Sequence, residues 1–385
     1  MDSNLLIRRN EVATGPRDVV IVGGGIAGCL TGYLLACRGL KVTILETDSV
    51  GSHASGFAFG EMGPMEGAGI PGPLLDFSVW SLNRHISLAA ELKEDSGVDN
   101  QHQVCDRLKL AFDVKTMRQY KDDLKWQQKV EGFQVEWLDS KEVVKVEPRA
   151  NPDSMGASYL QGAGSVEPYR YTLAAGQAAE KRGVEILLRK ATGLLTEGDR
   201  CVGVTTETGQ IDSGAVVLAM GPWSRLASDW CGMDIPVTPL KGQILRLRHL
   251  GEPVRTSIHY DGSYVVTKGD GLTWAGTTEE LVGFDENPTN DARDKVMGDL
   301  LRMVPSLVDA ELVQHTACLR PLTSDGIPIV GKVPGWQNLY LGTGAGRKGI
   351  LWSTGMCHGL SDLIISGTTD VPGIDALDPA RFGGA

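Results

Sequence analysis

Residues 18–28 read DVVIVGGGIAG, and CLTGYLLACRGLKVTILE continues as far as Glu46. DVVIV (18–22) is apolar after Asp18 and has the makeup of a short buried strand. Gly23, Gly25 and Gly28 then form G-x-G-x-x-G, residues 29–38 form a helical segment, and Gly39 suits the position just past a helix end. KVTILE (41–46) is the next buried strand. Strand, glycine turn, helix and strand in so few residues make a βαβ unit, which demands a parallel sheet. In that setting Gly23 permits the tight turn, Gly25 lets a pyrophosphate reach the backbone, and Gly28 packs helix on sheet. The helix N-terminus, with Ile26 and Ala27 in its first turn, faces the phosphates. Glu46 closes the second strand, where it accepts from ribose hydroxyls and disfavours a 2′-phosphate. The ligand is therefore FAD or NAD rather than NADP.

Composition sets the outer bounds. The chain has 385 residues, 42% of them hydrophobic, enough for one large domain or two interleaved ones. A formal net charge of -11 argues against nucleic acid or an anionic membrane as the main partner. The seven cysteines form no C-x-x-C pair and cannot all be bridged, which suits a reducing compartment and offers no structural zinc site. Residues 1–18 have no apolar signal core, and no run of about 18 apolar residues appears anywhere. The expectation is a cytoplasmic protein without a membrane span.

Further along, residues 74–97 have helical periodicity, residues 115–129 form a helix in a mixed region, and a helix over 172–183 precedes a strand at 184–188. Residues 201–221 read as a hairpin leading into a buried strand. From 236 to 282 alternation dominates and predicts an antiparallel sheet, followed by a helix over 289–304, a strand end at 338–344 and a last helix over 349–366.

The choice between FAD and NAD rests on the segments after Glu46 and Thr47. GSHASGFAFGEMGP (51–64), with Ser55 and Gly56 near its start, is small and glycine-rich, as a segment wrapping a ligand would be. AVVLAMGPWS (215–224) ends a buried strand in a turn containing Ala219, Gly221 and Trp223. An NAD dehydrogenase needs neither. A second glycine loop, LGTGAGRKGIL (341–351), opens the last helix.

Taken with GSVEPYRYTLAAGQAAEKRGVEI (164–186), PLKGQILRL (239–247), WAGTTEE (274–280) and LRPLTSDGIPIVG (319–331), these segments resemble the FAD-dependent D-amino acid oxidase superfamily. The likeness is to its glycine oxidase, sarcosine oxidase and D-amino acid dehydrogenase branch, and is weakest over 104–150. The resemblance implies an α/β fold: a Rossmann-like two-dinucleotide-binding FAD domain interleaved with an α+β substrate domain built on an antiparallel sheet. It assigns 17–90, 151–235 and 319–367 to the FAD domain and 91–150 and 236–318 to the substrate domain, leaving 1–16 and 368–385 as loose termini. It also adds Val166 to the FAD contacts, and it puts Gly344, Ala345, Gly346, Arg347, Lys348, Gly349 and Ile350 at the flavin ring.

By the same resemblance Arg320 grips a substrate carboxylate, a task to which a planar guanidinium fork is suited; the alternative is structural pairing with Asp325 or a backbone carbonyl. Tyr264, flanked by His259 and Tyr260, lies over the substrate, Arg347 and Lys348 join the active-site edge, and Lys268 occupies a basic position. No Ser/His/Asp set or metal cluster is evident, and none is needed. Three departures from the family stand out. Ala345 replaces a histidine, with Lys348 in place of a neutral polar residue. Thr273 stands where sarcosine oxidases have an oxygen-activating lysine. Cys318 falls near their covalent flavin attachment point, although noncovalent FAD is the expectation.

The leading reading is oxidation of a small carboxylate-bearing amine or amino acid to an imine, with O2 or another electron acceptor. Two others stay open: 2-hydroxy acid oxidation or electron delivery to a quinone or partner subunit, and a non-catalytic FAD-binding subunit. Assembly with further copies or with a different subunit is compatible with each.

Overall fold

The computed structural model describes residues 17–383. The expectation for residues 1–16 falls outside them. The βαβ unit forms as read: Arg17–Val22, the helix Ile26–Cys37 and Val42–Glu46. Its strands lie at the centre of a parallel array ordered Glu185–Leu188, Val42–Glu46, Arg17–Val22, Gly209–Leu218 and Leu339–Thr343. Ile329–Lys332 adds to the outer edge antiparallel. The first half of Gly209–Leu218 also carries an antiparallel meander of Arg200–Thr206 and Ala191–Glu197.

Strands buried on both faces need apolar cover on both. On one side lie the helices Ile26–Cys37, Leu75–Ser96, Pro168–Lys181 and Gly349–Ser366, around Ile21, Ile44, Phe77, Tyr171 and Trp352. On the other side the meander and the segment around Trp230 pack on Val20, Leu45 and Leu218.

The second sheet runs Glu311–Thr323, Val237–Arg248, Thr273–Gly276, Ser263–Thr267, Ser257–Tyr260, Arg107–Ala111, Gly156–Gln161 and Gln134–Leu138. It is antiparallel except where Ser257–Tyr260 meets Arg107–Ala111. Alternation along each strand sends successive side chains to opposite faces. Leu108, Leu110, Leu245, Val265 and Ala275 face the helices Asn290–Met303 and Ser140–Val146. Tyr264, Val266, Trp274 and Ile244 face the other way and meet Phe59.

Three expectations are corrected. Gly156–Gln161, assigned to the FAD part, belongs to the second sheet, where its whole length is paired and Gly156 to Leu160 lie against Arg107–Ala111. Glu311–Thr323 crosses the expected boundary at 318/319 without a break, because it pairs with Val237–Arg248 on both sides of it. Of the expected loose stretch 368–385, the described residues are docked: Ile374 and Leu377 are buried. Arg381 donates to Asp325 and to the carbonyls of Ile327 and Pro328.

Candidate active site

One cavity of about 1690 Å³ lies between the two sheets and is lined by both glycine loops, Glu46, Tyr264 and Arg320. It exceeds the roughly 300–1,000 Å³ of an ordinary small-molecule site, as a site for a dinucleotide plus a substrate would.

At the nucleotide end the local sequence fixes the backbone. Gly23 has φ +117 and lies against the Ala219 carbonyl, and a side chain at Gly28 would run into the Gly23 carbonyl. Glu46 is held in place by the amides of Gly24 (2.6 Å) and Asp48 (2.9 Å). The helix Ile26–Cys37 has no side-chain cap from its own N-cap residue, though Ser55 Oγ accepts from the Ile26 amide at 3.0 Å. Thr47, Gly25, Ile26, Ala27, Ala219, Gly221 and Trp223 line the same wall. An acid at the end of the second strand, glycines that keep the backbone bare and a helix start with no side chain at its own N-cap together fit a dinucleotide.

Gly28, Gly56 and Val166 do not reach the cavity wall. The first two sit under it, packed on the Gly23 and Gly51 carbonyls. Val166 is buried, and its carbonyl faces the Lys268 ammonium.

At the other end Gly344, with φ +80, turns the chain into Gly346–Lys348 and the helix Gly349–Ser366, again without a side-chain cap. Residues 344–350 all line the cavity. Arg347 is half-exposed and paired with Glu279. Lys348 is nearly buried; its Nζ donates to the Gly63 carbonyl (3.0 Å) and Glu66 Oε1 (2.9 Å).

Arg320 pairs with Leu240 in the second sheet, and its guanidinium lies over Gly242, where any side chain would displace it. Its Nη2 donates to Thr277 Oγ1 (2.7 Å) and its Nη1 to the Thr278 carbonyl (3.1 Å). Asp325, the alternative partner, is taken by Arg381. Tyr264 stacks on Phe59, ring centroids 3.9 Å apart. Burial pushes its phenol up to about 12, so it stays protonated. Behind Phe59, away from the cavity, the Lys268 ammonium sits 4.7 Å from the ring and donates to Ser165 Oγ at 2.6 Å; burial pulls it down to about 8. Cys318 reaches the cavity, and burial pushes its thiol up.

Sequence reasoning missed a charged cluster on the same wall. Arg107 and Lys109 alternate with Leu108 and Leu110, so strand geometry sends both cations to the cavity face. Arg107 pairs with Glu61 (2.6 Å) and Glu66 (2.9 Å), and Lys109 with Glu66 (3.0 Å). His259, registered against both Lys109 and Tyr264, approaches Glu61 at 2.8 Å. Burial would raise the carboxyl of Glu61, but Arg107 and His259 overcome it and hold Glu61 at about 2. Glu66 is likewise held well below its usual value, against its burial, by Arg107, Lys348 and Lys109. Burial and Arg107 lower His259 and keep it neutral. RLKLA (107–111) has a clean period of two, but its cationic face reads as a solvent face until the fold places it inside.

Residues 18–363 match the family model described as FAD dependent oxidoreductase. The chain belongs to that family. It is 30% identical over 367 residues to a glycine oxidase of Pseudomonas aeruginosa, covering 94% of this chain and 97% of the relative. A glycine oxidase of Bacillus subtilis is 29% identical, with 91% and 93% covered. The crystal structure of glycine oxidase from Geobacillus kaustophilus superposes with a TM-score of 0.91 at 27% identity, over 96% of this chain and all of that one. The α/β architecture and FAD as cofactor come with membership. No helix among the described residues is long and apolar enough to cross a membrane.

Proposed function

We propose that this member of the family oxidises a small carboxylate-bearing amine or amino acid, of the glycine, sarcosine or D-amino acid type, to an imine that water then hydrolyses. The observation that carries the reading is Arg320. Its guanidinium lines the same cavity as the second glycine loop, beside Tyr264, and donates to two neutral partners, Thr277 and Thr278, with no ion pair to it among the described residues. These two partners orient the fork and leave donors for a bidentate carboxylate.

FAD, which the turn at Gly23 and Gly25, Glu46 and residues 344–350 would hold, would supply a two-electron acceptor for the substrate's α-hydrogen, to be reoxidised by O2 or another acceptor. The protein supplies the placement. Arg320 fixes the carboxylate end, and Tyr264, its plane set by Phe59, closes over the substrate and keeps its proton available for a hydrogen bond. The uncapped start of the 349–366 helix lines the cavity, where its dipole would favour negative charge on a flavin held there. Arg347 and Lys348 form the charged edge of that site. Noncovalent FAD is the reading kept here, and burial, which raises the Cys318 thiol, is in line with it.

The test is anaerobic reduction of the purified flavoprotein by a panel of amino acids and N-methyl amino acids against the matching 2-hydroxy acids. The proposal expects the amines to bleach the flavin and the hydroxy acids to leave it oxidised. Bleaching by hydroxy acids alone would overturn it. Peroxide formation against dye reduction then separates an oxidase from a dehydrogenase.

A further inference from the structure

In the second sheet Glu311–Thr323 lies on one side of Val237–Arg248 and Thr273–Gly276 on the other, with Ser263–Thr267 next. Arg320 stands on the first of these strands, yet it donates to Thr277 and Thr278, which follow Gly276. Its side chain has therefore crossed the strand between. Tyr264 approaches from the opposite side, registered against Gly276. Its phenol comes within reach of Arg320 and Thr277, which oppose the burial that raises it. Two side chains from separate strands thus converge over the middle of the sheet.

Each of them passes over a glycine. The atoms nearest to where a Cβ would stand at Gly242 all belong to the Arg320 guanidinium, and at Gly276 they all belong to the Tyr264 phenol. Neither glycine has a positive φ, so the main chain does not itself call for glycine at either position. Gly156, in the same sheet, is the contrast: its φ is +127, and a Cβ there would meet the Leu138 carbonyl. A methyl group at Gly242 would displace only the tip of a side chain, so its cost falls on the site and not on the fold. Ordinary contact needs about 3.5–4.0 Å, and the guanidinium would have to withdraw by on the order of 1 Å. At Gly276 the ring that must move is one already stacked on Phe59.

We infer that Gly242 and Gly276 are positioning residues of the active site: their bare backbone lets Arg320 and Tyr264 lie flat on the sheet and meet at Thr277. This rests on the proposed amine oxidation and deepens it. The two glycines set the depth at which the substrate's carboxylate is held, and neither touches the substrate itself.

The experiment compares FAD-loaded wild type, Gly242→Ala, Arg320→Leu and the double variant on an amine that reduces the flavin. Gly242→Ala should keep its FAD and a Tm near that of wild type, while kcat/KM falls by about 10- to 100-fold, mostly through KM. In the Arg320→Leu background the same change should cost less than about twofold, because the group it acts through is gone. Gly276→Ala should lower kcat/KM by about tenfold and lose that effect beside Tyr264→Ala. Losses that persist in those backgrounds, a wild-type KM in Gly242→Ala, or a Gly242→Ala protein that unfolds or sheds FAD overturn the inference and leave amine oxidation standing. Should no amine reduce the flavin, the broader reading has failed. Acetate titrated into the oxidised protein, followed by the flavin's visible spectrum, then decides separately. Binding about tenfold weaker in Gly242→Ala, with no further loss when Gly242→Ala is added to Arg320→Leu, supports the positioning role. Equal binding by Gly242→Ala, or no binding by wild type, overturns it.

Discussion

The chain has two glycine loops that each open a helix, and they work in different ways. The first, at 23–28, is bare backbone: its glycines touch carbonyls, its helix lacks an N-cap side chain, and its one acid, Glu46, is fixed by two amides. The second, at 344–349, also opens an uncapped helix, but Arg347 and Lys348 project from it to Glu279 and Glu66. A dinucleotide phosphate is recognised by amides, so its loop needs room. A reacting substrate requires placed charge, so its loop needs side chains with counter-ions.

The contrast breaks first at the glycines. Gly28→Val drives a side chain into the Gly23 carbonyl. It should cost about 3 kcal/mol or more of stability and yield protein that does not retain FAD, read from the flavin absorbance per chain after gel filtration. Gly349→Ala meets only ordinary contact with Ala345 and should keep its FAD. If both variants behave alike, the two loops are not distinct in this sense.

Next in size is Arg320→Leu. Loss of a charge-assisted anchor should lower kcat/KM for carboxylate-bearing amines by about 2–4 kcal/mol, roughly 30- to 700-fold. FAD content should not change, and that separation is what distinguishes the substrate anchor from the cofactor loop. Glu66→Gln removes the shared counter-ion of Arg107, Lys109 and Lys348. Partial exposure of Glu66 reduces the penalty of a broken buried pair to about 1–3 kcal/mol, visible as a lower Tm.

Acid should act on the same cluster. Glu61 falls from an ordinary 4.5 to about 2, so its folded-state pKa is depressed. Its contribution to stability is complete above about pH 4.5 and is lost as pH falls towards 2. Glu61→Gln should flatten that part of the stability–pH curve. Smallest is Arg347→Met, which breaks a half-exposed pair with Glu279 and should change Tm by less than about 1 kcal/mol equivalent.

Legibility in the sequence divides along the same line. Backbone demands leave local marks: the βαβ unit, Glu46 and the start of the last helix could each be placed from a few consecutive residues. The antiparallel sheet was legible from alternation over 236–282. The pairing of 156–160 with 107–111 was not, because short strands carry no record of which sheet they join. The Glu61–Glu66–Arg107–Lys109–His259 cluster was hidden for a related reason. Its members come from three distant segments and share no spacing, so only the folded register of His259 against Lys109 brings them together. The docking of 368–383 depends on Arg381 meeting Asp325 and on Ile374 and Leu377 finding a core, neither of which a short terminal stretch announces.

If the two loops hold opposite ends of one FAD, with Arg320 and Tyr264 closing the substrate side, a crystal structure of the FAD-loaded protein will show it most directly. The adenosine ribose is expected on Glu46, the pyrophosphate at the start of the 26–37 helix, and the flavin ring between residues 344–350 and Tyr264. A flavin ring bound away from the 344–350 loop, or an Arg320 that cannot reach the space above it, would contradict this arrangement.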